Sequence, residues 1–182
     1  MKNRILTIVV EDHFYKYITE STGSDTVRPE RDSTLLAIIK PYLETKSSLE
    51  AETEEIPEGY SPIHIELPEL RQTYNSQTGK VIYCDTLFRD CIGPKGVEKV
   101  RRYFKNCFKM AFRTFMDGYT ENQNDNNAEA DETSRMRVKR GVVAFLLQYH
   151  IDVNERLVST LTRDWYRHRD RTEQNRFTPV FY

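Results

Sequence analysis

The 182-residue chain is long enough for one domain or two small ones with a real hydrophobic core, which excludes a peptide or a disulfide-stapled mini-protein. With 38% apolar and 30% charged residues, but also 11 Tyr, 9 Phe and 1 Trp, it is a polar chain too rich in aromatic residues to stay disordered. The net charge of −1 hides a segregation: residues 1–94 carry 10 Lys/Arg against 16 Asp/Glu and residues 95–182 carry 17 against 12, so an acidic half precedes a basic half suited to an anionic partner.

Ile5 to Val10 is a β-branched apolar run that predicts a buried strand, followed by a short helix over His13 to Glu20 that ends at Gly23-Ser24-Asp25. After Pro29, Leu35, Leu36, Ile38, Ile39, Tyr42 and Leu43 recur at helical spacing, with Pro41 expected to shorten the last turn. No apolar run approaches the ~18–20 residues that span a bilayer, and Ile5 to Val10 is shorter than a signal-peptide core, so the expectation is a cytoplasmic protein without a membrane partner. Residues 44–59 are rich in Glu and predict a surface linker. Ile63, Ile65 and Leu67 alternate with His64 and Glu66 as in a half-buried strand, and Pro62 and Pro68 suit an edge position. Lys80 to Tyr83 is expected to pair with it after a turn at Asn75 to Gly79, and Asp85 to cap a short helix reaching Ile92. Residues 1–92 therefore form a small α+β part.

Residues 93–182 predict a mainly helical part. After the break Gly93-Pro94-Lys95-Gly96, a helix over Val97 to Tyr119 places Val97, Val100, Phe104, Cys107, Phe108, Ala111 and Phe115 on one side and Lys95, Lys99, Arg102, Asn106, Lys109 and Arg113 opposite. The Asn/Asp/Glu-rich stretch 121–133 has almost no apolar residues and predicts a mobile loop. Residues 134–171 then read as a helix-turn-helix-like unit. Its first helix, Ser134 to Tyr149, has Val138, Val142, Phe145, Leu146 and Tyr149 on one side; its second, Glu155 to about Arg171, is capped by Asp152 or Asn154 and carries Leu157, Val158, Leu161 and Trp165. Cys84, Cys91 and Cys107 lack the paired spacing of a zinc site and are expected to be reduced thiols. The fold class is α+β: a small N-terminal part with a few strands, then helices ending in the hairpin.

The side of the last helix away from its apolar stripe carries Arg156, Ser159, Thr160, Arg163, Arg167 and Arg171. Guanidinium forks bond guanine edges or phosphates bidentately and hydroxyls reach phosphates, so this pattern points to duplex DNA. Lys99, Arg102, Lys109 and Arg113 on the long helix are expected to form a second, phosphate-tracking surface, with a solvated helix side as the alternative. Trp165-Tyr166-Arg167-His168-Arg169-Asp170-Arg171 resembles the Trp-Phe-x-Asn-Arg segment of homeodomain recognition helices, with His168 where that family has its adenine-reading Asn and Asp170 where the family is basic. The whole layout resembles small helix-turn-helix DNA-binding proteins of bacteriophages and mobile genetic elements, which implies a regulator or accessory factor. A structural or assembly protein, using the same helices for protein contacts and able to form a homo-oligomer, is the other class. Walker loops, nucleophile elbows, dinucleotide fingerprints and His-rich metal spacings are absent from the sequence, so neither an enzyme nor a cofactor is expected.

Overall fold

The computed structural model describes residues 4–44, 56–68, 73–75, 80–82, 91–125 and 134–177. The chain is α+β and divides into two compact units, Met1–Lys105 and Asn106–Tyr182. The core of the first is a three-stranded sheet of β1 (Arg4–Glu11), β4 (Tyr60–Leu67) and β2 (Thr26–Val27) in the order β1-β4-β2. β1 runs antiparallel to β4 with Leu6 opposite Ile65 and Ile8 opposite Ile63, whereas β2 is parallel to β4. The period-2 alternation puts Leu6, Ile8 and Val10 with Ile63, Ile65 and Leu67 on one buried face. Phe14 and Ile18 of α1 (Asp12–Thr22) and Leu35, Leu36 and Ile39 of α2 (Thr34–Ile39) complete the buried apolar set contributed by this unit's first two helices.

Ser33 caps α2 by accepting from the Leu36 N–H, and Pro41 turns the chain into a single 3₁₀ turn over Lys40–Tyr42, the shortening that its ring predicts. Pro62 does not keep β4 at an edge: it is the central strand. Its register explains why, because β2 pairs only with His64 and Ile65, so no β2 residue is paired with Pro62 and its missing N–H costs no bond there. Lys80–Ile82 (β6) pairs with Thr73–Asn75 (β5) rather than with β4, and Cys91–Ile92 is a strand (β7) on Leu43–Glu44 (β3), not the end of a helix. The remainder of the expected 85–92 helix, most of the acidic linker, the tip of the expected turn before Lys80, residues 126–133 and the last five residues lie outside the described residues.

Helix α3 (Pro94–Asp125) is longer than its apolar pattern predicts. No proline interrupts it, and within the added turns Thr120 turns its hydroxyl back onto the Met116 and Asp117 carbonyls. Its first turns belong to the first unit: a Cβ added at Gly96 would lie 2.6 Å from the Tyr42 Cβ, and Arg101 donates to the Val9 carbonyl at 2.7 Å. From Asn106 onward α3 belongs to the second unit, with α4 (Ser134–Gln148) and α5 (Glu155–Phe177). Phe145 is the hub of that unit's core. Its ring lies 5.5 Å from Phe108, 5.2 Å from Phe112, 5.5 Å from Phe115 and 5.0 Å from Tyr149, all in tilted or edge-on arrangements of the kind that aromatic quadrupoles favour. Close approach of α4 to α3 is set by Gly141, where a Cβ would meet Tyr119 at 2.8 Å and Met116 at 3.0 Å. Among the described residues no helix is long and apolar enough to cross a membrane.

Candidate nucleic-acid interface

The hairpin of α4 and α5 is built by its turn. The Ile151 N–H bonds the Leu146 carbonyl and the His150 N–H bonds that of Leu147, with His150 at φ 50°. This is a Schellman closure with its usual apolar contact position filled: both Leu146 and Ile151 are buried. The left-handed residue is His rather than Gly, which is why no glycine marks this turn in the sequence. Asn154, of the two candidate caps, is the one used, its Oδ1 accepting from the Leu157 N–H at 2.8 Å. Leu161 and Trp165 are buried as the periodicity requires, and so is Thr162, whose hydroxyl is satisfied by the Val158 carbonyl at 2.7 Å.

These contacts fix which side of α5 faces out. Arg156, Ser159, Thr160, Arg163, Arg167 and Arg171 are all exposed. Thr160 donates to the Arg156 carbonyl and Arg163 to that of Ser159, while none of the four arginines forms an ion pair among the described residues. Asp170 is the acid that shares this outer face, exposed one turn from Arg167. Tyr166, half-buried, carries the Arg169 guanidinium 5.5 Å above its ring. His168 is half-buried, 6.0 Å from the Trp165 ring, so it does not stand on the outer face where the homeodomain likeness would put a base-reading side chain.

The four residues of the α3 stripe divide. Lys99 and Arg102 are exposed, Arg102 pairing with Glu98 one turn before it. Lys109 and Arg113 instead converge on Asp164 of α5, at 3.1 Å and 2.9 Å, with side chains 35%, 30% and 18% exposed for Lys109, Arg113 and Asp164. Burial pushes the Asp164 carboxyl upward, but the hydrogen bonds from Lys109 and Arg113 and their charges outweigh it and hold the group below its ordinary value. Lys109 and Arg113 are thus helix-to-helix ties, not an open stripe. No sequence pattern singles out Asp164, because nothing local marks an acid whose partners lie 51 and 55 positions away.

Three exposed bases on α4, Arg135, Lys139 and Arg140, also lie outside the sequence-based expectation; the signal is there, since Ser134–Gln148 contains four Lys/Arg and no acid. In the first unit, Ser61 donates to Asp12 at 2.6 Å and His13 sits 3.6 Å from Glu11, its burial lowering the imidazole below its ordinary value against the pull of Glu11. Among the described residues no group of His, Cys, Asp and Glu could hold a metal ion, and Cys107 is free. Compared with known protein families, curated proteins and solved structures, the chain matches none.

Proposed function

We propose that the C-terminal unit binds duplex DNA through the outer face of α5, as a regulator or accessory factor of the kind found in bacteriophages and mobile elements. The observation that supports it is the exposed row Arg156, Ser159, Thr160, Arg163, Arg167 and Arg171, in which no arginine is neutralised by a carboxylate among the described residues. A helix with four guanidinium groups that pair with no carboxylate among the described residues, and two hydroxyls on the same side, matches the donor set that phosphates and guanine edges accept. The acid in the middle of the helix, Asp164, is turned aside and held by Lys109 and Arg113, so it does not oppose that row. The expected interface narrows accordingly: Lys109 and Arg113 support α5, and Lys99 and Arg102 stand apart as a second anion-facing candidate. The phage and mobile-element assignment rests on the layout alone.

Titration of the full chain with duplex DNA over a range of salt tests it. Phosphate contacts give a linear fall of log K with log[salt], with a slope set by their number. Arg163→Ala with Arg167→Ala is expected to weaken binding by ~1–3 kcal/mol for each arginine that reads a base and by less for one that touches phosphate, with an unchanged thermal midpoint. Equal affinity in wild type and double variant would remove α5 from the interface.

A further inference from the structure

The outer face of α5 is not uniformly basic. Each helical residue turns ~100° from the one before, so Asp170, seven positions after Arg163, comes round to within ~20° of it. Arg167 and Arg171 lie on its other side, ~60° and ~100° away. The carboxylate therefore stands inside the arginine row and not beside it. It is exposed and forms no ion pair among the described residues. Asp164, one and a half turns earlier, is the opposite case: it points away from the row and is held by Lys109 and Arg113. An acid that stays in the row with no partner of its own has to be accounted for by whatever the row binds.

We infer that Asp170 is a specificity-determining residue: the Arg163 to Arg171 stretch of α5 lies against base edges in the major groove, and the Asp170 carboxylate accepts from the N4 amino group of a cytosine. The inference rests on the α5 reading above and deepens it, because it makes the target a particular sequence and not duplex DNA at large. A phosphate oxygen is a charged acceptor and so is a carboxylate. Against the backbone Asp170 would repel its neighbour and take back part of what Arg163 and Arg167 contribute, so a row that only tracked phosphates would be weakened by it. Base edges are different, since the major groove offers amino donors at cytosine N4 and adenine N6. Adenine N6 stands between two acceptors, its own N7 and the O4 of the paired thymine, which both oppose a carboxylate. Cytosine N4 has an acceptor on one side only, the O6 of its guanine, and is the better partner. Guanines at neighbouring pairs present the O6 and N7 that Arg163 and Arg167 can fork onto. The same acid lowers affinity for every sequence that leaves it facing an acceptor, so it discriminates by repulsion as well as by attraction.

The experiment is repeated selection by the full chain from a pool of duplexes whose random centre spans about two helical turns, followed by fluorescence anisotropy on the enriched duplex and on an unselected one. Wild type is expected to enrich a sequence with a fixed cytosine among guanines, and to bind it about tenfold or more tightly than the same duplex with that C·G pair changed to T·A. Asp170→Asn, at an exposed position, should keep its thermal midpoint and its guanines but exchange the cytosine for adenine, because a carboxamide pairs with adenine N6 and N7. It should also bind the unselected duplex at least as tightly as wild type, since one negative charge is gone. An unchanged cytosine in the Asp170→Asn selection overturns the inference. So does duplex binding with no sequence enriched, or an equal gain in affinity for every duplex in Asp170→Asn, either of which would leave α5 as a phosphate-tracking helix and Asp170 as a charge that merely opposes it. Retention of no duplex at all, or an enriched sequence that Arg163→Ala with Arg167→Ala leaves unaltered, would fail the α5 reading itself and this inference with it.

Discussion

One stripe of bases on α3 meets two different fates. In its first turns Lys99 and Arg102 face solvent, and the acid nearest Arg102 is its own helix neighbour Glu98; further along, Lys109 and Arg113 close on Asp164 of another helix. The buried line of the same helix explains the difference. Val100, Phe104, Phe108, Phe112 and Met116 are all buried, each four residues after the last. Four residues advance a helix by slightly more than one turn, so such a line drifts ~40° per step and winds ~160° between its ends. At Val100 the stripe lies opposite the core. By Phe112 the core has rotated toward it, and the same charges become its half-buried margin. Periodicity shows that a helix has a polar side; only the winding of the core shows where that side stops being surface.

The largest expected effect lies on the buried line itself. Phe112→Ala should cost about 3–5 kcal/mol, since the ring is fully buried against Phe145, while Met110→Ala, at an exposed position beside it, should stay within about 0.5 kcal/mol. Urea denaturation giving similar destabilisation for the two would mean that the buried line does not run through Phe112. The two acids come next. Asp164→Ala leaves two half-buried cations without their partner and should cost about 1–3 kcal/mol, whereas Glu98→Ala removes one exposed helix pair worth about 0.3–0.5 kcal/mol. Similar midpoints for both variants would erase the distinction between the two ends of α3.

Acid separates the two ends further. The folded Asp164 carboxyl is held below its unfolded value, so between the two values the unfolded chain binds more protons. The stability that this group contributes is fully present above the ordinary aspartate value of about 4 and is lost as pH falls through the folded one. Stability measured against pH should therefore fall less steeply on the acid side in Asp164→Asn than in wild type; parallel acid limbs would show that Asp164 is not held by its two partners. The smallest effect belongs to Lys99→Ala with Arg102→Ala, expected within about 0.5 kcal/mol of wild type by thermal denaturation.

Local pattern is enough for much of this molecule. The strand at Ile5 to Val10, the shortened helix before Pro41, the hairpin and the outward side of α5 are all legible, because each is decided by residues a turn or two apart. What sequence does not show depends on pairings across long stretches of chain. The partner of Lys80–Ile82 is a three-residue strand without a strong alternation of its own, and the central place of β4 depends on how short β2 is. Phe112 and Met116 fall outside the predicted apolar side because one average period does not follow a helix whose core line drifts. Lys109 and Arg113 look open in the sequence for the same reason.

Because α3 serves both compact units, no bond within it divides the protein cleanly. A chain cut after Lys105 would leave the carbonyls of its last turn without the N–H groups that follow and would strip one end from the winding row that Phe104 and Phe108 share. Fragments that respect the helix must each contain all of it, residues 4–125 on one side and 94–177 on the other. The halves share a component rather than a border, and any split of the gene would have to copy it twice.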